Sequence, residues 1–158
     1  CVLEKRAAAA AGINEKIFIN TKGQISEGTV CNVFFVRKNM IYTPQLSCGL
    51  LPGILREYIM ERFQVTETII YPDELMYYEE CFVTNSLMGV MPVRQLGNIC
   101  FPHRAKADEV REVYEKEKMS LAQMMIEEKE PADKISKYTG YAIDKLREIA
   151  AAMGQTLV

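Results

Sequence analysis

Short apolar runs separated by polar turns occupy the first hundred residues of the chain. Runs of this kind, bounded by Gly, Asn and Lys, are typical of strands joined by tight turns. The pattern predicts strands at 17–19, 24–27, 30–36, 40–43, 65–71, 81–84, 90–96 and 98–101. The sequence therefore favours an antiparallel or mixed sheet.

Helical spacing of apolar residues appears between the strands and beyond them. It predicts a helix from Pro52 or Gly53 to about Phe63, and an alanine run ending at Gly12 predicts another. Further helices are predicted at 106–128, 133–138 and 143–153, with breaks at Pro131 and Gly140. Together with the strands, these helices predict an α+β fold.

Composition limits the classes of function. The 158 residues suffice for one domain, or one domain with a small appendage, and a net charge of -2 gives no basic surface for nucleic acid. No apolar run approaches the roughly 18 residues of a membrane span. An odd number of cysteines without C-x-x-C spacing argues against disulfides and a metal site. We predict reduced thiols in a cytoplasmic protein, at Cys1, Cys31, Cys48, Cys81 and Cys100.

Candidate chemistry is concentrated between Glu27 and Arg56. Glu27 stands just ahead of an apolar strand, and Leu51-Pro52-Gly53 leads into the predicted helix. The first N–H groups of a helix lack intrahelical acceptors and favour an anion such as phosphate, whereas an acid suits a cation. Taken alone, a single acid is more often an exposed surface residue, and the loop is an ordinary helix entrance.

The full motif of this stretch resembles that of the class IV aminotransferases, the fold-type IV pyridoxal phosphate (PLP) enzymes. The matching elements are E-G-x-x-x-N-x-F, then T-P-x-L, then G-x-L-P-G-I-x-R. The resemblance covers residues 1 to about 114 and corresponds to the C-terminal domain, an α+β pseudo-barrel with helices outside. It implies a PLP-binding domain at 1–118, a helical appendage of unknown role at 119–158, a small-molecule substrate and a homodimeric complete protein.

The resemblance also assigns roles to individual residues. Glu27 would face the pyridine nitrogen of PLP, as the catalytic carboxylate, and the backbone around Ile54 and Leu55 would hold the phosphate. Many relatives carry Thr where this chain has Leu55, so a hydroxyl contact is lost there. Asn32 is expected to be structural and to hold the loop near Glu27. The predicted cofactor-binding residues are Glu27, Leu51, Gly53, Ile54, Leu55, Asn85 and Ser86.

One expected residue has no match in this sequence. Enzymes of the family hold PLP through a Schiff-base lysine, and the matching position falls before Cys1. Lys5 and Lys16 stand after Cys1 and do not match that lysine. The N-terminal domain of the family also falls outside the chain. We therefore expect this chain by itself to be inactive.

The segment from Asn85 to Val93 bears on the reaction. Its form, N-S-L-M-x-V-M-P-V, is similar to that of aminodeoxychorismate lyase, whereas transaminases tend towards G-T-A-A-E-V. The expected activity is removal of pyruvate from 4-amino-4-deoxychorismate to give 4-aminobenzoate for folate synthesis. A branched-chain or D-amino acid aminotransferase is the alternative, and a non-catalytic remnant or interaction module is an alternative of another class.

Overall fold

A computed structural model describes residues 2–158, apart from the side chains of Val2 and Lys5, so Cys1 lies outside it. Its contacts divide the chain into two compact units, residues 1–110 and 111–158. The predicted boundary at residue 118 and the roles of the two predicted domains stay predictions.

The first unit contains all of the described strands and two complete helices. In chain order the elements are α1 (Val2–Ala10), β1 (Ile17–Ile19), β2 (Ile25–Gly28), β3 (Asn32–Arg37), β4 (Met40–Pro44), α2 (Ile54–Arg62), β5 (Val65–Thr68), β6 (Glu80–Asn85), β7 (Gly89–Val93), β8 (Gln95–Leu96) and β9 (Ile99–Cys100). Short 3-10 segments occupy Leu46–Cys48 and Pro72–Tyr77. Strands occur at every predicted position, with bounds shifted by a few residues. The strand predicted at 90–96 is divided into β7 and β8, which belong to different sheets.

The main sheet has five strands in the order β5-β4-β3-β6-β7. Strands β4 and β5 are parallel and are connected through α2, while the other neighbours are antiparallel. Two separate hairpins, β1-β2 and β8-β9, complete the described strands. The predicted α+β class is confirmed, and the described sheets do not close into a barrel.

Strand β3 lies at the centre of the sheet and is buried on both faces. Val33 and Phe35 join one apolar cluster, whereas Phe34 stacks on Phe82 of β6 with ring centroids 4.9 Å apart. Successive side chains of a strand point to opposite faces, so a central strand covered on both sides reads as a continuous apolar run. The turn into β4 uses Lys38 and Asn39, both at positive φ (49° and 63°), which suits a two-residue hairpin turn.

Helix α3 (Ala105–Glu127) begins at a buried acid from the sheet. The carboxylate of Glu80, on β6, accepts hydrogen bonds from the backbone N–H groups of Lys106 (3.0 Å) and Ala107 (3.1 Å). A negative charge that satisfies free N–H groups at a helix N-terminus is stabilising. Nothing in the sequence predicts this contact, because the partners are far apart along the chain.

The second unit comprises the end of α3, α4 (Ala132–Thr139) and α5 (Ile143–Ala152). The predicted helices at 133–138 and 143–153 are present, and α4 ends at Gly140, which has φ 71°. An apolar cluster of its own includes Ala122, Ile126, Ile135, Leu146 and Ile149. No helix in the described chain has the length and apolar content needed to span a membrane.

Candidate functional site

A cavity of about 260 Å³ in the first unit brings the predicted site residues together. Its lining includes every predicted cofactor-binding residue, which are Glu27, Leu51, Gly53, Ile54, Leu55, Asn85 and Ser86. The remaining lining residues are Gly28, Thr29, Val30, Cys31, Asn32 and Thr84. Three separate stretches, around residues 27–32, 51–55 and 84–86, therefore meet at one place.

The loop before α2 is held against the sheet through the backbone of Leu51. Glu27 Oε2 accepts a hydrogen bond from the Leu51 N–H at 3.0 Å, and Asn32 Nδ2 donates to the Leu51 carbonyl at 2.8 Å. The exposed Leu51 side chain itself makes no part of this arrangement. The Glu27 carboxylate and the helix entrance consequently lie close together, since the three steps from Leu51 to Ile54 span at most about 10 Å.

Gly53 is needed at the entrance of α2 for steric reasons. A Cβ atom at this position would overlap Oδ1 of Asn32. Gly28 is similarly close to the sulfur of Cys31. Both glycines of the motif therefore permit close packing of the cavity wall, rather than a left-handed backbone conformation.

The N-terminus of α2 presents backbone donors to the cavity. Gly53 is the N-cap without a side-chain cap, and its carbonyl accepts the first intrahelical bond, from the Glu57 N–H at 3.0 Å. By helix geometry the N–H groups of Ile54 and Leu55 have no acceptor within the helix. The buried Leu55 side chain anchors the first turn of the helix in the core, whereas the Ile54 side chain is exposed.

The turn from Asn85 to Gly89 forms the third wall. Asn85 Oδ1 accepts bonds from the N–H groups of Leu87 (2.9 Å) and Met88 (2.7 Å), and its Nδ2 donates to the Val30 carbonyl at 3.1 Å. The Asn85 side chain is thus used to build the turn. Ser86 is exposed at the cavity wall, where its hydroxyl is accessible to a ligand.

Cysteines and lysines differ in their relation to the cavity. Cys31 lines the cavity. The pKa of the neighbouring Cys81 thiol is raised well above its usual range, chiefly by burial and also by the presence of Cys31, so Cys81 stays protonated. None of the lysine side chains that the structure describes lines the cavity. Lys16 pairs with Glu4 at 2.9 Å, and the Lys5 side chain lies outside the described part.

A family model now accounts for this constellation. The model of amino-transferase class IV matches residues 1–96, which include all three walls of the cavity. The chain belongs to the class IV aminotransferase family. Members of this family are PLP-dependent enzymes, and one solved branched-chain amino acid aminotransferase is complexed with N-(5'-phosphopyridoxyl)-L-glutamate.

Individual relatives carry two different enzyme names. The chain is 37% identical to branched-chain-amino-acid aminotransferase 6 of Arabidopsis thaliana, over 54% of this chain and 26% of that protein. It is 32% identical to the aminodeoxychorismate lyase of Bacillus subtilis, over 54% of this chain and 31% of that protein. Similarity therefore shows the family and connects the chain with two reactions within it.

The fold matches a solved family member. The branched-chain aminotransferase of Thermoproteus uzoniensis, in a structure with norvaline, superposes with a TM-score of 0.68 at 26% identity. The match covers 73% of this chain and 40% of that chain. The chain thus spans less than half the length of the Arabidopsis, Bacillus and Thermoproteus relatives.

The residues present in the cavity fit PLP. An acid, helix N–H donors and an accessible hydroxyl are the groups that a protonated pyridine nitrogen and a phosphate require. On the same wall, the Thr84 hydroxyl is buried and has no hydrogen-bond partner among the described atoms. Buried polar groups are normally paired, so an unpaired hydroxyl in the cavity wall is suited to contact a ligand.

Of the six lining residues outside the predicted set of cofactor-binding residues, Asn32 and Thr84 belong to neighbouring strands. The sequence favours only a structural role for Asn32, and it places Thr84 at the start of the candidate stretch 84–93 without giving that residue a role. The two face each other across β3 and β6 in the strand register. The pairing of the strands brings Thr84 beside Asn32, whereas the motif itself contains Asn32.

Proposed function

We propose that the complete protein is a PLP-dependent lyase that removes pyruvate from 4-amino-4-deoxychorismate and forms 4-aminobenzoate, in folate synthesis. The observation that supports PLP dependence is the cavity in which Glu27, the start of α2 and Ser86 meet. By the family resemblance the complete protein would act as a homodimer, and the cysteine pattern supports the cytoplasm as its compartment.

In this proposal one wall of the cavity binds the ring of PLP and the other two bind its phosphate. PLP, when bound, supplies an electron sink for the reaction. The Glu27 carboxylate would hold a proton at the pyridine nitrogen, because an adjacent negative charge favours the protonated form. The N–H groups of Ile54 and Leu55 and the hydroxyl of Ser86 would bind the phosphate.

The lyase assignment is supported by the segment from Asn85 to Val93. Its sequence resembles the lyase form, and the similarity to the Bacillus enzyme agrees with it. A branched-chain aminotransferase is the second candidate, because the Arabidopsis relative has the higher identity. A D-amino acid aminotransferase and a non-catalytic remnant are further alternatives.

We expect this chain alone to release no pyruvate. A basic side chain must move protons in PLP chemistry, and no described lysine lines the cavity. Binding of the cofactor is therefore the property to measure on this chain, and turnover is the property to measure on the complete protein.

Binding is tested with pyridoxamine 5'-phosphate and pyridoxamine, whose own fluorescence reports the bound state. Neither has an aldehyde, so neither reacts with surface lysines. We expect the phosphorylated ligand to bind at least about tenfold more tightly, and Ser86→Ala to reduce this preference. Ser120→Ala, which removes an exposed serine from α3, is the control and should change nothing.

The reaction is tested on the complete protein with and without a 2-oxo acid. Pyruvate release from aminodeoxychorismate without an acceptor identifies the lyase, since a transaminase needs the acceptor. Strict dependence on the 2-oxo acid, with no release of pyruvate, would favour the second candidate.

In the binding test, equal and weak binding of pyridoxamine 5'-phosphate and pyridoxamine would contradict the phosphate site itself.

A further inference from the structure

The N–H and the carbonyl of Leu51 are both held by side chains, one from the β1-β2 hairpin and one from the five-stranded sheet. Glu27 holds the N–H and Asn32 holds the carbonyl, at 3.0 Å and 2.8 Å. Loop residues are rarely anchored in this way unless their position matters, because loops usually direct their polar backbone groups to water. The two bonds define where the chain stands before it enters α2.

Asn32 is itself firmly placed. It is the first residue of β3, is only 6% exposed, and pairs with Thr84 of β6 inside the five-stranded sheet. A side chain anchored on a central strand varies little in position. The bond from the Asn32 amide group therefore restrains the loop relative to the sheet.

A second contact of Asn32 lies at Gly53. Its Oδ1 occupies the space that a Cβ atom on Gly53 would take, so the amide touches the helix N-cap as well as the Leu51 carbonyl. Between these two points Pro52 has a fixed φ. With both ends and the middle constrained, the direction of the next N–H groups, of Ile54 and Leu55, is determined.

We propose that Asn32 is a positioning residue for the phosphate half of the site. Its carboxamide sets the N–H groups of Ile54 and Leu55 in place before a ligand arrives. This inference rests on the proposed function, since it concerns the same cavity. Without the anchor, the ligand would have to order the loop on binding, and that cost reduces affinity.

A purely structural role of Asn32 makes a different prediction. Loss of general packing would weaken all ligands of the cavity together and would lower the melting temperature. Loss of positioning acts on the donors of one half of the site. The ratio of affinities for a phosphorylated and an unphosphorylated ligand separates the two roles.

The test uses the whole chain with pyridoxamine 5'-phosphate and pyridoxamine. We expect Asn32→Ala to weaken the phosphorylated ligand about tenfold, the equivalent of one well-placed hydrogen bond, and to leave pyridoxamine within about twofold. Asn32→Leu keeps a similar volume without the donor, so it should lose as much as Asn32→Ala. Asn32→Asp is unsuitable, because its charge would repel phosphate directly.

Gly53→Ala is a second variant that acts on the same contact from the helix N-cap, and its own effect can be measured even if Asn32→Ala does not fold. The added methyl group displaces the Asn32 amide, so the phosphorylated ligand should again bind more weakly. In an Asn32→Ala background the overlap is absent, and Gly53→Ala should then cost little more. This non-additivity in a double-mutant cycle is the signature of one shared anchor.

The outcomes distinguish a failure of the positioning role of Asn32 from a failure of the proposed phosphate site. An unchanged ratio of affinities in Asn32→Leu and in Gly53→Ala, or additive losses in the cycle, would overturn the positioning role, while the phosphate site stands. A wild-type chain with no preference for the phosphorylated ligand would overturn the proposed site and this inference together. A selective, non-additive loss of the phosphorylated ligand supports both.

Discussion

At the scale of single residues, Glu27 combines two tasks on one carboxylate. Oε2 accepts the Leu51 N–H, and a carboxylate has a second oxygen with which to meet a ligand. Glutamine preserves an oxygen acceptor for the loop and removes only the charge. The exchange to glutamine therefore isolates the electrostatic contribution of Glu27 to the cavity.

We expect Glu27→Gln to weaken pyridoxamine and pyridoxamine 5'-phosphate equally, by about tenfold, because both carry the ring nitrogen that the charge stabilises. Fluorescence titration of both ligands measures the effect. Glu61→Gln, an exposed acid at the far end of α2, is the control. A loss confined to the phosphorylated ligand would mean that Glu27 acts only through the loop.

The ion pair between Arg56 of α2 and Glu67 predicts an effect of a single residue on the unfolding free energy. Arg56 is 2% exposed and donates both to the Pro44 carbonyl (3.2 Å) and to Glu67, which is partly exposed. Glu67→Ala leaves the guanidinium buried with less compensation, so it should cost about 2 kcal/mol of unfolding free energy. Urea denaturation gives this value.

A matched exposed pair serves as control for that measurement. Glu61 and Arg62 lie 3.9 Å apart on the solvent side of α2, and Glu61→Ala should cost at most about 0.5 kcal/mol. Equal costs for the two alanine variants would show that burial of Arg56 is unimportant.

At the scale of elements, the sheet fixes the start of α3 through Glu80. Its carboxylate is 6% exposed and caps two N–H groups of the helix. We expect Glu80→Ala to lower the unfolding free energy by about 1–3 kcal/mol, because the cap is lost and the N–H groups stay buried.

The neighbouring acid offers the comparison for that prediction. Glu79 is exposed, and Glu79→Ala should stay within about 0.5 kcal/mol of wild type. Thermal melting followed by circular dichroism suffices to rank the two variants. A loss in Glu80→Ala no larger than that in Glu79→Ala would contradict the capping role.

At the scale of the whole molecule, one apolar cluster in each unit of the described chain shares no residue with the other. The buried members of the first cluster lie between Ile25 and Phe101, and those of the second lie between Ala122 and Ala150. Partly buried residues that pack on the second, such as Met119 and Leu157, lie in the same stretch. The predicted appendage at 119–158 has an apolar core of its own.

We expect a chain that ends at Lys118 to keep the melting transition of the sheet unit nearly unchanged. The physical reason is that all buried residues of the first core are retained. Calorimetry of the full and shortened chains measures the change. A loss beyond roughly 3 kcal/mol would count as removal of core and defeat the idea.

Much of the local structure follows from sequence alone. Alternating and continuous apolar runs place the strands, the turn at Lys38-Asn39 is visible, and helical spacing locates α2, α4 and α5. These features depend on neighbouring residues, whose periodicity is written directly in the chain. The family motif likewise selects Glu27 and the entrance of α2, since both belong to one ordered stretch.

Only the tertiary structure decided which distant residues meet. The contacts of Glu80 with α3 join residues 26 and 27 positions apart, and the bond from Asn85 Nδ2 to the Val30 carbonyl joins residues 55 positions apart. Strand order and register arise from the packing of complete faces, so no local pattern contains them. The sequence alone determined the elements and the chemistry of the motif, and the packed sheet decided how a loop, a helix entrance and a turn form one cavity.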